Sequence, residues 1–144
     1  MGKFMATILV AEDDAHVMRL MSMWLARNGH QVLEATDGLQ AKDVIAAGGV
    51  DFLVTDINMP HCNGIELAQW LRGEFKSDIP IVMLSARCDQ AQIGEQMHQL
   101  KVTVHPKPFS PSRLSNEIEQ RLEESRNAVD HLVGRRKAAS NGLP

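Results

Sequence analysis

Four places in this chain carry side chains able to handle a phosphate or a cation: Glu12-Asp13-Asp14, Asp56, Ser85 and Lys107. Carboxylates crowded together raise one another's pKa unless a cation joins them. An oxygen-only donor set suits Mg²⁺, which binds one or two carboxylates and a phosphate oxygen while keeping several waters. An aspartate can itself attack a phosphoryl group to give an acyl phosphate. Such a transfer depends on positioning and charge neutralisation more than on acid–base chemistry. A metal on one side, the Lys107 ammonium on another and the Ser85 hydroxyl on a third supply both. The residues thus describe a phosphoaspartate site at Asp56, with the donor left open.

Each residue has a plainer reading. Asp56 could cap a turn after a strand, and Asp14 is well explained as an acid at a helix N-terminus. Ser85 alone is ordinary loop chemistry, and Lys107 alone is an exposed lysine. A run of three acids exceeds what a helix start requires, and the four places are spaced so that one architecture brings them together.

That architecture follows from periodicity. Ile8-Leu9-Val10-Ala11, Phe52-Leu53-Val54-Thr55 and Ile81-Val82-Met83-Leu84 are short apolar runs of the kind buried in parallel sheets. Gln31–Ala35 is a weaker strand, expected near an edge, and Val102-Thr103-Val104 is the last candidate. Between them lie helical patterns: Val17, Leu20, Met21, Trp24 and Leu25 as an inward stripe from Ala15, then Leu39–Ala47, Ile65–Phe75 and Gln90–Leu100. A final helix after Ser110 carries Leu114, Ile118 and Leu122, with Val129 and Leu132 as further candidates, and Gly134 precedes a basic tail expected to be solvated and disordered. Asp14 is the expected N-cap of the first helix and Asn28-Gly29 its end. Alternating strands and helices with short loops imply an α/β fold, a parallel sheet covered on both faces. Ligands of such sheets sit beyond the carboxyl ends of the strands. There Glu12, Asp13, Asp56, Ser85 and Lys107 converge.

Composition narrows the function class. The 144 residues suffice for one domain. A net charge of -3 gives no general attraction to nucleic acid or acidic membranes. No run is long enough to span a bilayer and no charged start precedes an apolar segment, so a cytoplasmic protein is expected. Cys62 and Cys88 fit neither a disulfide framework nor a metal knuckle and are expected to be free thiols. The six histidines show no ligand spacing.

Taken in order, Glu12-Asp13 after the first strand, Asp56 followed by Met59-Pro60 and Gly64, Ser85-Ala86, and Lys107-Pro108-Phe109 resemble a response-regulator receiver domain over residues 6–124, with 125–144 as a C-terminal extension of the last helix and a polar basic tail. The resemblance implies a flavodoxin-like, CheY-like (βα)5 sandwich with five parallel strands in the order 2-1-3-4-5. It implies phosphotransfer to Asp56 from a histidine kinase or histidine phosphotransfer protein, with at most self-catalysed transfer and dephosphorylation as enzymatic activity. Glu12, Asp13 and Asp56 would hold Mg²⁺ with the main-chain carbonyl of Asn58. Ser85 and Lys107 would grip the phosphoryl oxygens, Lys107-Pro108 would be cis, and Asn58 and Arg87 would tune phosphoryl lifetime by controlling the approach of water. Implied partners further include a downstream protein or a covalently following output domain, and a second copy in a homodimer.

Two departures stand out. Val104 holds the place where receivers usually carry an aromatic, and Leu100-Lys101 replaces a Gly-Ala pair, so the usual rotamer switch is missing unless His105 substitutes for it. Pro106 removes an N–H donor near the end of a strand. A pseudo-receiver that signals without phosphate is therefore the alternative function. An aspartate-nucleophile phosphatase ranks last, because Asn58 stands where such enzymes carry a second acid.

Overall fold

The computed structural model describes residues 5–86 and 90–141. Its five strands form one parallel sheet: β1 (Thr7–Ala11), β2 (Gln31–Ala35), β3 (Phe52–Asp56), β4 (Ile81–Ser85) and β5 (Val102–Pro106), in the order β2-β1-β3-β4-β5. The helices between them are α1 (Ala15–Arg27), α2 (Gly38–Ala46), α3 (Gly64–Gly73), α4 (Gln90–Gln99) and α5 (Pro111–Asn141). This is the expected flavodoxin-like arrangement. Every residue of β3 and β4 is buried, as their unbroken apolar runs require, and β2 lies at an edge with mixed exposure.

Successive strand residues point to opposite faces, so the sheet feeds two cores. Leu9, Leu53, Ile81, Met83 and Val102 pack with helices α2, α3 and α4. Ile8, Val10, Phe52, Val54, Val82 and Leu84 pack with α1 and α5 through Met21, Leu25, Leu114 and Ile118. The helices begin where their caps are. The Asp14 carboxylate accepts from the backbone N–H groups of His16 and Val17 at 2.8 and 3.2 Å, and Asn63 and Glu66 form a capping box at the start of α3. Asn28 closes α1, followed by Gly29 at φ +91°, a left-handed conformation that suits glycine.

Two sequence expectations need correction. Leu20 is 59% exposed instead of lying in the inward stripe of α1, and Met23 is 48% exposed. The buried line is Met18, Met21 and Leu25, and Leu20 and Met23 each fall two positions past one of its members, about 200° around the helix. The helix at the C-terminal end runs through Gly134 and Arg135-Arg136-Lys137 to Asn141 where a disordered tail was expected. His105 does not substitute for an aromatic at 104. Val104 packs against the core under α4, whereas His105 pairs with Leu84, a member of the opposite core, so the two neighbours face opposite sides of the sheet.

Pro106 has a simple accommodation. β5 is an edge strand, and the Lys107 N–H donates to the Ser85 carbonyl at 2.8 Å. Alternate residues of a strand bond the same neighbour, so the missing donor of Pro106 faces the free edge. Among the described residues, no helix is long and apolar enough to cross a membrane.

One side chain ties the α3 end of the molecule to the turn before β5. The half-buried Arg72 guanidinium donates to the carbonyls of Leu100, Ser77 and Ile79, each at 2.8 Å. Replacing it with methionine strips a charge-assisted donor from three carbonyls. Arg72→Met is expected to lower unfolding free energy by about 2–4 kcal/mol, read from urea denaturation; a loss below about 0.5 kcal/mol would show that water replaces the guanidinium.

Candidate functional site

Sheet register alone brings the chemically able residues to one level. Ala11 of β1 pairs with Thr55 of β3, so Glu12 emerges beside Asp56. Asp56 pairs with Leu84, which puts Ser85 one step past it, and Ser85 pairs with Pro106, which puts Lys107 next. Parallel strands thus end together, and their last side chains meet in the crevice above the sheet.

The acids meet closely. Glu12, Asp13 and Asp56 each offer an oxygen within 4.8 Å of the others. Glu12 and Asp56 are buried and Asp13 is exposed, so the cluster has a closed floor and an open mouth. Lys107 reaches in from β5, its Nζ lying 2.9 Å from Asp56 Oδ1 and 3.8 Å from Glu12 Oε2. Asp56 Oδ1 also accepts from the Ile57 N–H at 2.9 Å, and Glu12 Oε1 from the Asp14 N–H at 3.3 Å. Glu12 Oε2 is buried and accepts no hydrogen bond.

Electrostatics follows from that packing. Burial, then the Asp56 charge, pushes the Glu12 carboxyl up to about 7, although Lys107 and the Asp14 N–H pull the other way. Burial pulls the Lys107 ammonium down, but its hydrogen bond to Asp56 and the three acid charges outweigh it and leave the pKa raised. Lysine therefore stays charged, whereas Glu12 lacks enough positive charge to stay ionised with ease. A buried acid with an orphaned oxygen, grouped with two other carboxylates, is a donor set fitted to a hard divalent cation.

The remaining sequence candidates are arranged less closely. Ser85 is buried and its hydroxyl donates to the Ala86 carbonyl at 2.8 Å. Asn58 is exposed in the loop leaving β3. Arg87 lies outside the described residues, as does Cys88. Cys62 is a free, buried thiol under α2, away from the acids. Lys107-Pro108 is cis. Sequence reasoning used Gly64 only as part of a motif, yet a Cβ there would stand 2.2 Å from the Asp56 carbonyl oxygen. Glycine lets α3 start against the end of β3, with the Gly64 N–H donating to the Ile57 carbonyl at 2.8 Å. The cue available in sequence was its place eight residues after Asp56.

Known proteins share this fold. The family model for the response regulator receiver domain matches residues 8–119. A chemotaxis protein CheY homolog of Campylobacter jejuni is 36% identical over 121 residues, covering 80% of this chain and 91% of that protein. Response regulator MprA of Mycobacterium tuberculosis is 37% identical over 110 residues, which are 74% of this chain but 46% of that one. Among solved structures, the receiver domain of Francisella response regulator 1452 superposes with a TM-score of 0.77 at 27% identity, covering 83% of this chain and 98% of that domain. The acid cluster at the strand ends, the lysine that answers it and these matches agree, and the chain belongs to the response regulator receiver domain family.

Proposed function

We propose that Asp56 is the phosphoacceptor of a two-component phosphorelay, taking a phosphoryl group from a histidine kinase or histidine phosphotransfer protein. The observation that carries this reading is the Lys107 ammonium 2.9 Å from a buried aspartate that two further acids flank. In the transfer, an Asp56 carboxylate oxygen forms a bond to phosphorus as the donor's P–N bond breaks and its electron pair returns to the imidazole. Mg²⁺, held by Glu12, Asp13, Asp56 and the main-chain carbonyl of Asn58, would supply charge neutralisation at the phosphoryl oxygens. Lys107 moves its bond from Asp56 to one of those oxygens, and Ser85 turns its hydroxyl from the Ala86 carbonyl to another. Asn58 and Arg87 control the approach of the water that later hydrolyses the acyl phosphate. A cytoplasmic setting goes with such a donor. The phosphorylated chain acts on a downstream protein or a following output domain.

A second reading rests on Val104: without an aromatic there, the domain acts as a pseudo-receiver that binds partners independently of phosphate. One experiment separates the two. Incubated with Mg²⁺ and acetyl phosphate, the wild-type chain is expected to gain a single hydroxylamine-labile phosphoryl group by mass spectrometry, and Asp56→Asn none. An unlabelled wild type supports the pseudo-receiver, and equal labelling of both proteins would place the acceptor elsewhere.

The raised Glu12 pKa gives a stability prediction. Glu12 holds its proton to about pH 7 when folded, against about 4.5 for the free carboxyl group. The unfolded chain therefore releases the proton first, so this contribution is fully present below about pH 4.5 and is lost as pH rises through about 7. In divalent-free buffer, Glu12→Gln is expected to gain about 3 kcal/mol on wild type between those limits. Added Mg²⁺ should stabilise wild type above pH 7 and the variant much less. A wild-type and a variant profile that run parallel would sink this assignment of Glu12.

A further inference from the structure

Thr55 is a buried polar residue that the acceptor chemistry leaves unused. Alternation along β3 puts its side chain on the opposite face of the sheet from that of Asp56. Its partners on the neighbouring strands, Ala11 and Met83, are apolar members of the core under α2, α3 and α4. Valine has nearly the same shape and would pack there without burying a hydroxyl, so packing gives no reason for threonine. The hydroxyl has one evident task. It donates to the Asp56 carbonyl oxygen at 2.9 Å.

That carbonyl belongs to the Asp56–Ile57 peptide, which is a rigid plane. Both ends of the plane are held. Its oxygen takes the Thr55 hydroxyl and lies so close to Gly64 that a Cβ there would stand 2.2 Å away. The N–H at its other end lies 3.2 Å from the Leu84 carbonyl oxygen and donates to Asp56 Oδ1 at 2.9 Å. Tilting the plane takes this N–H off the carboxylate, which is then free to turn about its own side-chain torsions.

We propose that Thr55 is a positioning residue for phosphoryl transfer: its hydroxyl fixes the Asp56–Ile57 peptide, and the Ile57 N–H in turn fixes the rotation of the Asp56 carboxylate. This deepens the function proposed above and rests on it. Ile57 N–H and Lys107 Nζ both bond Oδ1, which makes Oδ2 the attacking oxygen. Oδ2 forms the bond to phosphorus, the donor's P–N or P–O bond breaks, and its electron pair leaves with imidazole or acetate. When Lys107 moves to the phosphoryl oxygens, the Ile57 N–H still holds Oδ1. An oxygen that must meet phosphorus in line tolerates little misplacement, so lost orientation is read as lost rate.

Valine and serine separate the hydroxyl of Thr55 from its methyl. With Mg²⁺ and acetyl phosphate, the full Thr55→Val chain is expected to label Asp56 about tenfold more slowly than wild type, and Thr55→Ser within about twofold of it. Urea midpoints of the two variants run the other way, because only serine gives up a buried methyl. Fluorine NMR of bound beryllofluoride reads the site without turnover: its signals are expected to shift or broaden in Thr55→Val and to match wild type in Thr55→Ser. Thr55→Ala, which loses both groups, is expected to be as slow as valine and takes its place if valine fails to fold. A Thr55→Val rate equal to wild type, rates that follow the urea midpoints, or fluorine signals that coincide in every variant would overturn the positioning role and leave the acceptor reading standing. An unlabelled wild type would remove both.

Discussion

Crowding of negative charge at one end of a parallel sheet is the constraint around which this molecule is arranged. Glu12 and Asp56 are both buried there, and a buried carboxylate is costly without a positive neighbour. Lys107 is that neighbour, and it comes from the far end of the chain, on a strand that neither acid's strand touches. The link between residues 12, 56 and 107 is therefore global: the entire strand order must form before the charges balance. Even then the balance is incomplete, because Glu12 Oε2 has no hydrogen-bond partner. Incomplete balance is what a site for a cation and a phosphoryl group requires, since a fully satisfied cluster would have nothing left to offer either.

The two faces of the sheet are built differently. Under α4, Val104 is a small branched residue that packs into the core and has no rotamer to trade between inside and outside. On the other face lie α1, the start of α5 and the Lys107–Phe109 segment, where a charged group of the crevice adjoins an apolar groove. His105 also faces this side, with a buried Nε2 that has no partner.

Much of the fold was legible because its signals are local. Apolar runs of four or five residues, Asp14 before α1 and the Asn28-Gly29 stop each act over a few positions, and each stands where periodicity put it. The errors share a cause as well. Leu20 and Met23 are apolar and near the stripe, yet the orientation of α1 is set by what it packs on, and Met18, Met21 and Leu25 win the buried side. The length of α5 was misjudged at Gly134, a residue that weakens a helix by about 1 kcal/mol without forbidding it.

The sequence by itself determined the elements, the acids and lysine at the strand ends, and through their ordered spacing the family. These are properties of residue type and local periodicity, which survive without knowledge of neighbours. Only the tertiary structure decided that Lys107 bonds Asp56 while lying near Glu12, that Glu12 keeps an orphaned oxygen, that His105 and Val104 serve opposite cores, and that Leu20 and Met23 line a groove. Each of those depends on how strands register and helices rotate against the sheet, distances that no spacing along the chain encodes.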